Sequence, residues 1–350
     1  MKIAILGDAH FGARNRNVLI ENWQRKFYEE FFWPKLDELG VDTIFQTGDY
    51  FDNRKWINLQ TMAFQKEVFV KQAQSRGCDV HVIVGNHDLP FRNSLANNSV
   101  RQILGEEECF TVYDTIEKKE FDGCEITFFP WICKENEEES FEVLTEGGEV
   151  AFGHFEIDGF MMHPGSYARS NTQSVDFTNW ERVLNGHFHA QSEKGNIHYV
   201  GTPYQMTWSD WSTKHGFWIF DTFDKSMTFH QNPFNYFHKI FWENGTNYDL
   251  DTIKDGYVKI EVREKNDFES FEKFMDKVNF NQPFEFKVIE TFEEWTSDNV
   301  TDMLEMATTT ELIEEYISDV ATVHNKDFIT KTMLEIYNEA LELSDSISQN

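Results

Sequence analysis

The apolar residues of this chain fall into two rhythms. Short, closely filled apolar runs predict strands near 2–6, 43–47, 80–84, 124–130 and 149–153, and again near 182–185, 197–201, 216–221, 227–231 and 238–242. Elsewhere apolar residues recur at steps of three and four, which predicts helices over 17–39, 59–76 and 136–145. The early alternation of strands with helices predicts a parallel layer, and the later strands, which follow one another closely, predict antiparallel hairpins. An α/β fold of two sheets flanked by helices satisfies both. Beyond residue 250 the rhythm changes to strand 257–263, helix 267–278 and strand 284–290, a split βαβ unit, and after Asp298 it is helical throughout. The expected parts are therefore 1–250, a small α+β unit over 251–295, and a C-terminal helical segment over 296–350.

Residues able to do chemistry gather where the predicted strands stop. Gly7-Asp8-Ala9-His10, Gly48-Asp49, Gly85-Asn86-His87-Asp88, Gly153-His154 and Gly186-His187-Phe188-His189 each close an apolar run. In open α/β sheets ligands gather at the carboxyl ends of strands, so these ends can converge on one place. Asp8 and His10 are two residues apart, as are His187 and His189, and in extended chain that spacing puts both side chains on the same side. A lone Gly-Asp is ordinary turn chemistry. The whole ordered series, each member closing a strand, points to metal ligation instead.

The inventory of His, Asp and Asn without Cys suits manganese, iron or zinc. It is large enough for two ions, with Asp49 the central candidate for a bridging carboxylate. Two ions about 4 Å apart stabilise both oxygens of an in-line displacement at phosphorus, so phosphate ester hydrolysis is expected. Of the other histidines, His81 and His198 lie within apolar strands and are expected in the core. His163, His215, His230, His238 and His324 carry no motif and are expected to be structural or at the surface.

Composition narrows the picture. Hydrophobic residues make up 40% of the 350, 34 of them Phe, enough to fill one large core and leave a smaller unit over, which excludes a disordered chain. Lys2 to Leu6 already reads as a strand, with no targeting leader before it, and no stretch approaches the roughly 20 apolar residues of a membrane span. A cytoplasmic protein without membrane contact is expected. Cys78, Cys109, Cys124 and Cys133 lie far apart, without knuckle or redox spacing, and are expected to be reduced and buried. The 31 Lys and Arg against 61 Asp and Glu give a net charge of −30, a field that repels polyanions. The acidic runs Glu106-Glu107-Glu108 and Glu135 to Glu142 are expected in solvated loops.

The order Asp-x-His, Gly-Asp, Gly-Asn-His-Asp, Gly-His, Gly-His-x-His resembles that of the calcineurin-type metallophosphoesterase superfamily. Within it, the Asn-His-Asp ending, Gly201-Thr202-Pro203 and Lys214-His215-Gly216-Phe217 resemble the SbcD-type recombination nucleases, above all the small subunits of T-even-like phage recombination endonucleases. The resemblance implies a two-sheet metallophosphoesterase sandwich flanked by helices over 1–250, with a small α+β cap and DNA-binding domain over 251–295 and a C-terminal helical hairpin that binds the partner over 296–350. It implies a DNA endonuclease and exonuclease using two divalent metal ions, Mn2+ with Mg2+ as the alternative. The implied setting is DNA recombination, repair and replication, as a homodimer within a heterotetramer with an SbcC-type coiled-coil ATPase, in the host cytoplasm if the chain is phage-encoded. Carried over by motif, one ion takes Asp8, His10, Asp49 and His189 and the other Asp49, Asn86, His154 and His187. His87 then acts on the phosphate, with Asp88 orienting its ring. One position departs: Asp52 stands where cellular members usually carry His, and its carboxylate is expected to weaken contact with DNA.

Basic residues border the same loops. Arg14 and Arg16 follow the first cluster, Arg54 and Lys55 the second and Arg92 the third, each either gripping phosphate or merely solubilising the surface. Trp56, Trp208 and Trp211 either stack on bases or pack into the core. In the tail, Ile329, Met333, Ile336, Ala340, Leu343 and Ile347 form an apolar seam at heptad spacing, and with a second helix over 301–323 they predict a helical hairpin. It folds back on its own domain or, as the resemblance implies, docks on the partner's coiled coil. Two other readings compete: a free-standing metallophosphatase or cyclic phosphodiesterase, favoured by the acidic charge, and a structural subunit that binds metal without useful turnover, favoured only by Asp52.

Overall fold

In the computed structural model, which describes residues 1–91, 93–163, 166–168, 177–243, 247–264, 267–290 and 332, the two rhythms become two sheets. The first strands are β1 (Lys2–Leu6), β2 (Thr43–Gln46), β3 (Asp79–Ile83), β4 (Phe110–Tyr113), β5 (Glu117–Phe121), β6 (Cys124–Phe128) and β7 (Gly148–Gly153). A short hairpin of β8 (Met161–His163) and β9 (Ser166–Tyr167) precedes β10 (Trp180–Asn185), β11 (Ser192–Lys194), β12 (Ile197–Tyr199), β13 (Gly216–Asp221) and β14 (Met227–Gln231). The first sheet has the order β14-β13-β1-β2-β3-β4 and the second β11-β12-β10-β7-β6-β5. β1 to β4 run parallel, as do β6, β7, β10 and β12, whereas β13, β14, β5 and β11 pair antiparallel. A three-stranded sheet joins β15 (Phe237–Glu243), β16 (Tyr257–Glu264) and β17 (Glu285–Glu290) in that order.

The alternation of side chains along a strand decides which layer each residue fills. In β1, Ala4 and Leu6 pack with Trp23, Phe27 and Phe69 of the helices, while Ile3 and Ile5 pack with Phe128, Val150 and Phe152 of the other sheet. Both faces of each central strand are thus covered, which is why these strands read as continuous apolar runs. The outer face of the second sheet, with Ala151 and Val183, is covered by Leu144 of helix Glu137–Glu146.

The two long predicted helices are each broken by one wide π turn. Val18–Phe27 passes through Tyr28–Phe32 into Trp33–Leu39, and Leu59–Gln65 through Lys66–Val70 into Lys71–Arg76. Asn17 and Asn58 cap the starts with side-chain oxygens that accept backbone N–H groups, and Gly40 and Gly77 end them. Glu137, Glu138 and Glu139 form the first turn of the helix expected over 136–145 rather than a solvated loop, and their carboxylates favour the positive end of the helix dipole. The cysteines are all free, three of them buried. His81 and His198 are buried as expected, His81 against the Tyr113 hydroxyl at 2.7 Å.

No helix among the described residues is long and apolar enough to cross a membrane. Compactness divides the chain into one unit of Met1–Ile240, Asn247–Ile260 and Glu269–Lys287, and another of Phe241–Thr246, Glu261–Phe268 and Val288–Asn350. The seam residues Ile329, Met333, Ile336, Ala340, Leu343 and Ile347, the predicted hairpin, Arg92 and His324 lie outside the described residues.

Candidate metal centre

β1, β2 and β3 of the first sheet and β7 and β10 of the second end in the loops that carry Asp8, Asp49, Asn86, His154 and His187. The loops after β1 and β2 run on side by side: the N–H of His10 donates to the Asp49 carbonyl at 3.0 Å and that of Phe11 to Tyr50 at 2.9 Å. Two glycines permit the close approach. A Cβ on Gly186 would lie 2.6 Å from Asp8 Oδ1 and Thr47 Oγ1, and one on Gly85 would overlap the backbone nitrogen and carboxylate of Asp49. Asp49 itself sits in the left-handed region, with φ 50°, as does His187 with φ 78°.

The side chains converge in three groups whose ligating atoms lie within 4.8 Å of one another: Asp8, His10 and Asp49; Asp49, His154 and His187; and His10, Asp52 and His87. Asp8 accepts from the Thr47 hydroxyl at 2.9 Å and from the His187 N–H at 2.9 Å. Asp49 Oδ1 accepts the His87 N–H at 2.7 Å, while its Oδ2 lies 3.4 Å from His154 Nε2 and 3.9 Å from His10 Nε2. His154 donates through Nδ1 to the Thr47 carbonyl at 2.6 Å, which turns its Nε2 toward Asp49 and toward Asn86 Oδ1 at 3.0 Å. Both ring nitrogens of His10, and Nδ1 of His187, are buried without a hydrogen-bond partner. Buried imidazole nitrogens facing carboxylate and amide oxygens fit a divalent cation.

Charge follows from this crowding. Burial opposes ionisation of Asp49, but His154, His10 and His87 outweigh it and hold the carboxyl far below its ordinary range. Burial likewise opposes protonation of His10 and His154, yet the neighbouring carboxylates, Asp52 first for His10 and Asp49 first for His154, hold both up to about 9. Burial and the nearby His154 push His187 down to about 3, so its imidazole is neutral.

His189 stands at the rim, its ring 5.2 Å from that of His10 and its Nδ1 3.7 Å from Asp210 Oδ1. His87 is half-buried. Its Nδ1 donates to the Asp52 carbonyl at 2.7 Å, which leaves Nε2 free. Asp88 does not orient that ring. Its buried carboxylate accepts the N–H groups of Gly85, Tyr50 and Phe51 at 2.9, 3.3 and 3.2 Å, so it ties the loop after β2 to the loop after β3. Asp52 is turned inward, with Oδ1 3.3 Å from His10 Nδ1 and Oδ2 accepting the Arg14 N–H at 3.2 Å. Asp210, which the sequence reading passed over, is buried beside His189 and also accepts the N–H groups of Met206 and Thr207. Its signal was the Thr207 to Asp210 spacing of a capping box.

Arg16 is paired with Glu21 at 3.1 Å, whereas Arg14, Arg54 and Lys55 have no ion-pair partner among the described residues. Trp56 is 79% exposed, and Trp208 and Trp211 are half-buried against the core. His215 bonds Thr202 and Thr213, and His238 the Tyr248 hydroxyl, so both are structural, as expected.

The profile of the calcineurin-like phosphoesterase family matches residues 1–299. The chain belongs to that family. The phosphoesterase is accordingly a metal-dependent hydrolase, and the expected fold class and reaction class are borne out. It is 31% identical over 331 residues to exonuclease subunit 1 of Enterobacteria phage T4, across 93% of this chain and 95% of that protein. Over 154 residues it is 27% identical to metallophosphoesterase 1 of Rattus norvegicus, across 41% of this chain and 38% of that one. Among solved structures, an archaeal phosphodiesterase aligns over 66% of this chain and 100% of its own, at 13% identity and a TM-score of 0.32.

Proposed function

We propose that this phosphoesterase is the nuclease subunit of a DNA-processing complex, hydrolysing phosphodiester bonds with two divalent ions, manganese foremost. The observation that carries the reading is the convergence of His10, His154 and His187 on Asp49, with Nε2 of His10 and Nδ1 of His187 buried without a hydrogen-bond partner. Asp8, His10, Asp49 and His189 would hold one ion, and Asp49, Asn86, His154 and His187 the other. At such a site divalent ions would supply a nucleophilic water at neutral pH and offset charge on the phosphoryl oxygens. DNA as substrate is supported by the likeness to a phage exonuclease subunit along nearly its whole length.

The chain's own groups do the rest. The Thr47 carbonyl and Asp210 fix the rings of His154 and His189. His87 keeps its Nδ1 proton on the Asp52 carbonyl, so Nε2 is the atom that meets substrate. Burial lowers its affinity for a proton, and an arriving phosphate raises it again, which lets Nε2 carry a proton to the leaving oxygen.

The acidic total, −30, is offset in this reading by a coiled-coil ATPase of the SbcC type, docked on the seam from Ile329 to Ile347 and supplying most phosphate contacts, within a heterotetramer built on a homodimer. The test is cleavage of linear DNA by the purified chain, with and without Mn2+ and with and without the ATPase. Mn-dependent cleavage that the ATPase enhances, and that Ile336→Asp uncouples from it, is expected. Hydrolysis of a small chromogenic diester without any cleavage of DNA would overturn the proposal in favour of a free-standing phosphodiesterase, the reading the acidic charge favours.

A further inference from the structure

Beside the metal centre lies a cleft of about 210 Å³ whose lining includes Arg14, Trp208, Tyr257, Lys259, Glu285 and Lys287. Three cations against one carboxylate is the reverse of the whole chain, where 31 basic residues face 61 acidic ones. None of the three has an ion-pair partner among the described residues, whereas Arg16, Arg25, Arg76 and Arg101 are each paired. Lys259 Nζ lies 4.0 Å from the centre of the Trp208 ring, a contact that holds the ammonium in place without neutralising it.

Two of the lining residues, Arg14 and Trp208, belong to loops that reach the metal centre. Arg14 belongs to a run of three non-glycine residues in the left-handed region, Arg14, Asn15 and Arg16, with φ 53°, 56° and 60°. Such backbone persists only where its surroundings hold it, and it concentrates at functional loops. Here the holding group is Asp52, whose other carboxylate oxygen faces His10. Trp208 opens the turn that ends in Asp210, the partner of His189. Arg14 and Trp208 therefore tie the cleft, through their loops, to the partners of His10 and His189.

We infer that this cleft is a phosphate subsite for the polynucleotide strand, one that grips a backbone phosphate neighbouring the bond being cut. The inference rests on the nuclease reading above and deepens it. The site reads no sequence, because the face of Trp208 is taken by Lys259 and the remaining groups are cations suited to phosphate oxygens. Its volume suits one sugar-phosphate unit.

The test uses the full-length chain with Mn2+ and a labelled oligonucleotide, comparing wild type with Lys259→Ala/Lys287→Ala, Arg14→Ala and Lys259→Arg/Lys287→Arg. For the double alanine variant KM for the oligonucleotide should rise about tenfold with kcat nearly held, and the log–log slope of binding against salt should shrink by about two, one for each phosphate-facing cation removed. Oligonucleotide cleavage should fall relative to that of a small chromogenic diester, and the double arginine variant should restore it. An unchanged salt slope and KM in the double alanine variant, at an unchanged melting temperature, would overturn the subsite. A wild-type chain that hydrolyses the small diester but neither binds nor cuts the oligonucleotide would instead remove the nuclease reading, and the subsite with it, before any variant is made.

Discussion

Oδ1 of Asp52 stands 3.3 Å from Nδ1 of His10, and the backbone oxygen of the same Asp52 receives the Nδ1 proton of His87 at 2.7 Å. One residue thus holds two of the proposed working imidazoles. At the position where the resembling nucleases usually carry His, this chain has a carboxylate that faces its own ligand loop. A carboxylate on the far nitrogen of a ligating imidazole raises the basicity of the near one. Asp52→Asn should lower metal affinity about 10- to 100-fold, read by calorimetric titration with Mn2+. Affinity equal to wild type would remove Asp52 from this role.

Asp49 belongs to both proposed ligand sets, and His187 offers a neutral buried nitrogen to one of them. Asp49→Ala and His187→Ala should each lower turnover by about a thousandfold or more, since losing a metal forfeits several kcal/mol of charge stabilisation. Elemental analysis should find less than the full metal complement. Half the wild-type rate in either variant would refute the assignment.

His87 differs, because its Nδ1 is committed to a carbonyl and only Nε2 is free. His87→Ala should keep both metals and lose about 100- to 10,000-fold in turnover, the usual share of a proton-transferring group. Empty metal sites in that variant would make His87 a ligand instead.

In the metal-free chain His10 and His154 are held up to about 9, against an ordinary 6.5. A histidine whose folded value is raised adds stability below its unfolded value and loses it as pH rises through the folded one. Melting temperature of the metal-free chain should therefore fall between pH 7 and about 9.5. Metal must displace those protons, so Mn2+ affinity should climb over the same window. A metal-free melting temperature flat across that window would contradict the charge arrangement described for Asp49 and its neighbours.

The convergence of the candidate loops was legible because each joins a buried strand to a glycine and a polar residue of ligating type, so local sequence and tertiary position coincide. Other features had no such local signature. Glu117–Phe121 is an edge strand with partly or fully exposed side chains, and its charges read as a loop. The π turns at Tyr28–Phe32 and Lys66–Val70 keep the same apolar residues an unbroken helix would carry. The true partners of Asp88 are backbone N–H groups of two different loops, which no spacing along the chain encodes.

The place of β13 between β14 and β1 sets when, during synthesis, the molecule can first exist. Ile3 pairs with Phe220, and the loops that meet at Asp49 reach from Asp8 to His187. A chain that has left the ribosome only as far as Phe152 has the loops after β1, β2 and β3 but neither His154 nor His187, and nothing to close the β1 edge of its first sheet. Contacts so distant in sequence form late and slowly. Nascent and prematurely terminated chains therefore lack the complete candidate metal centre, which is assembled only with the finished fold.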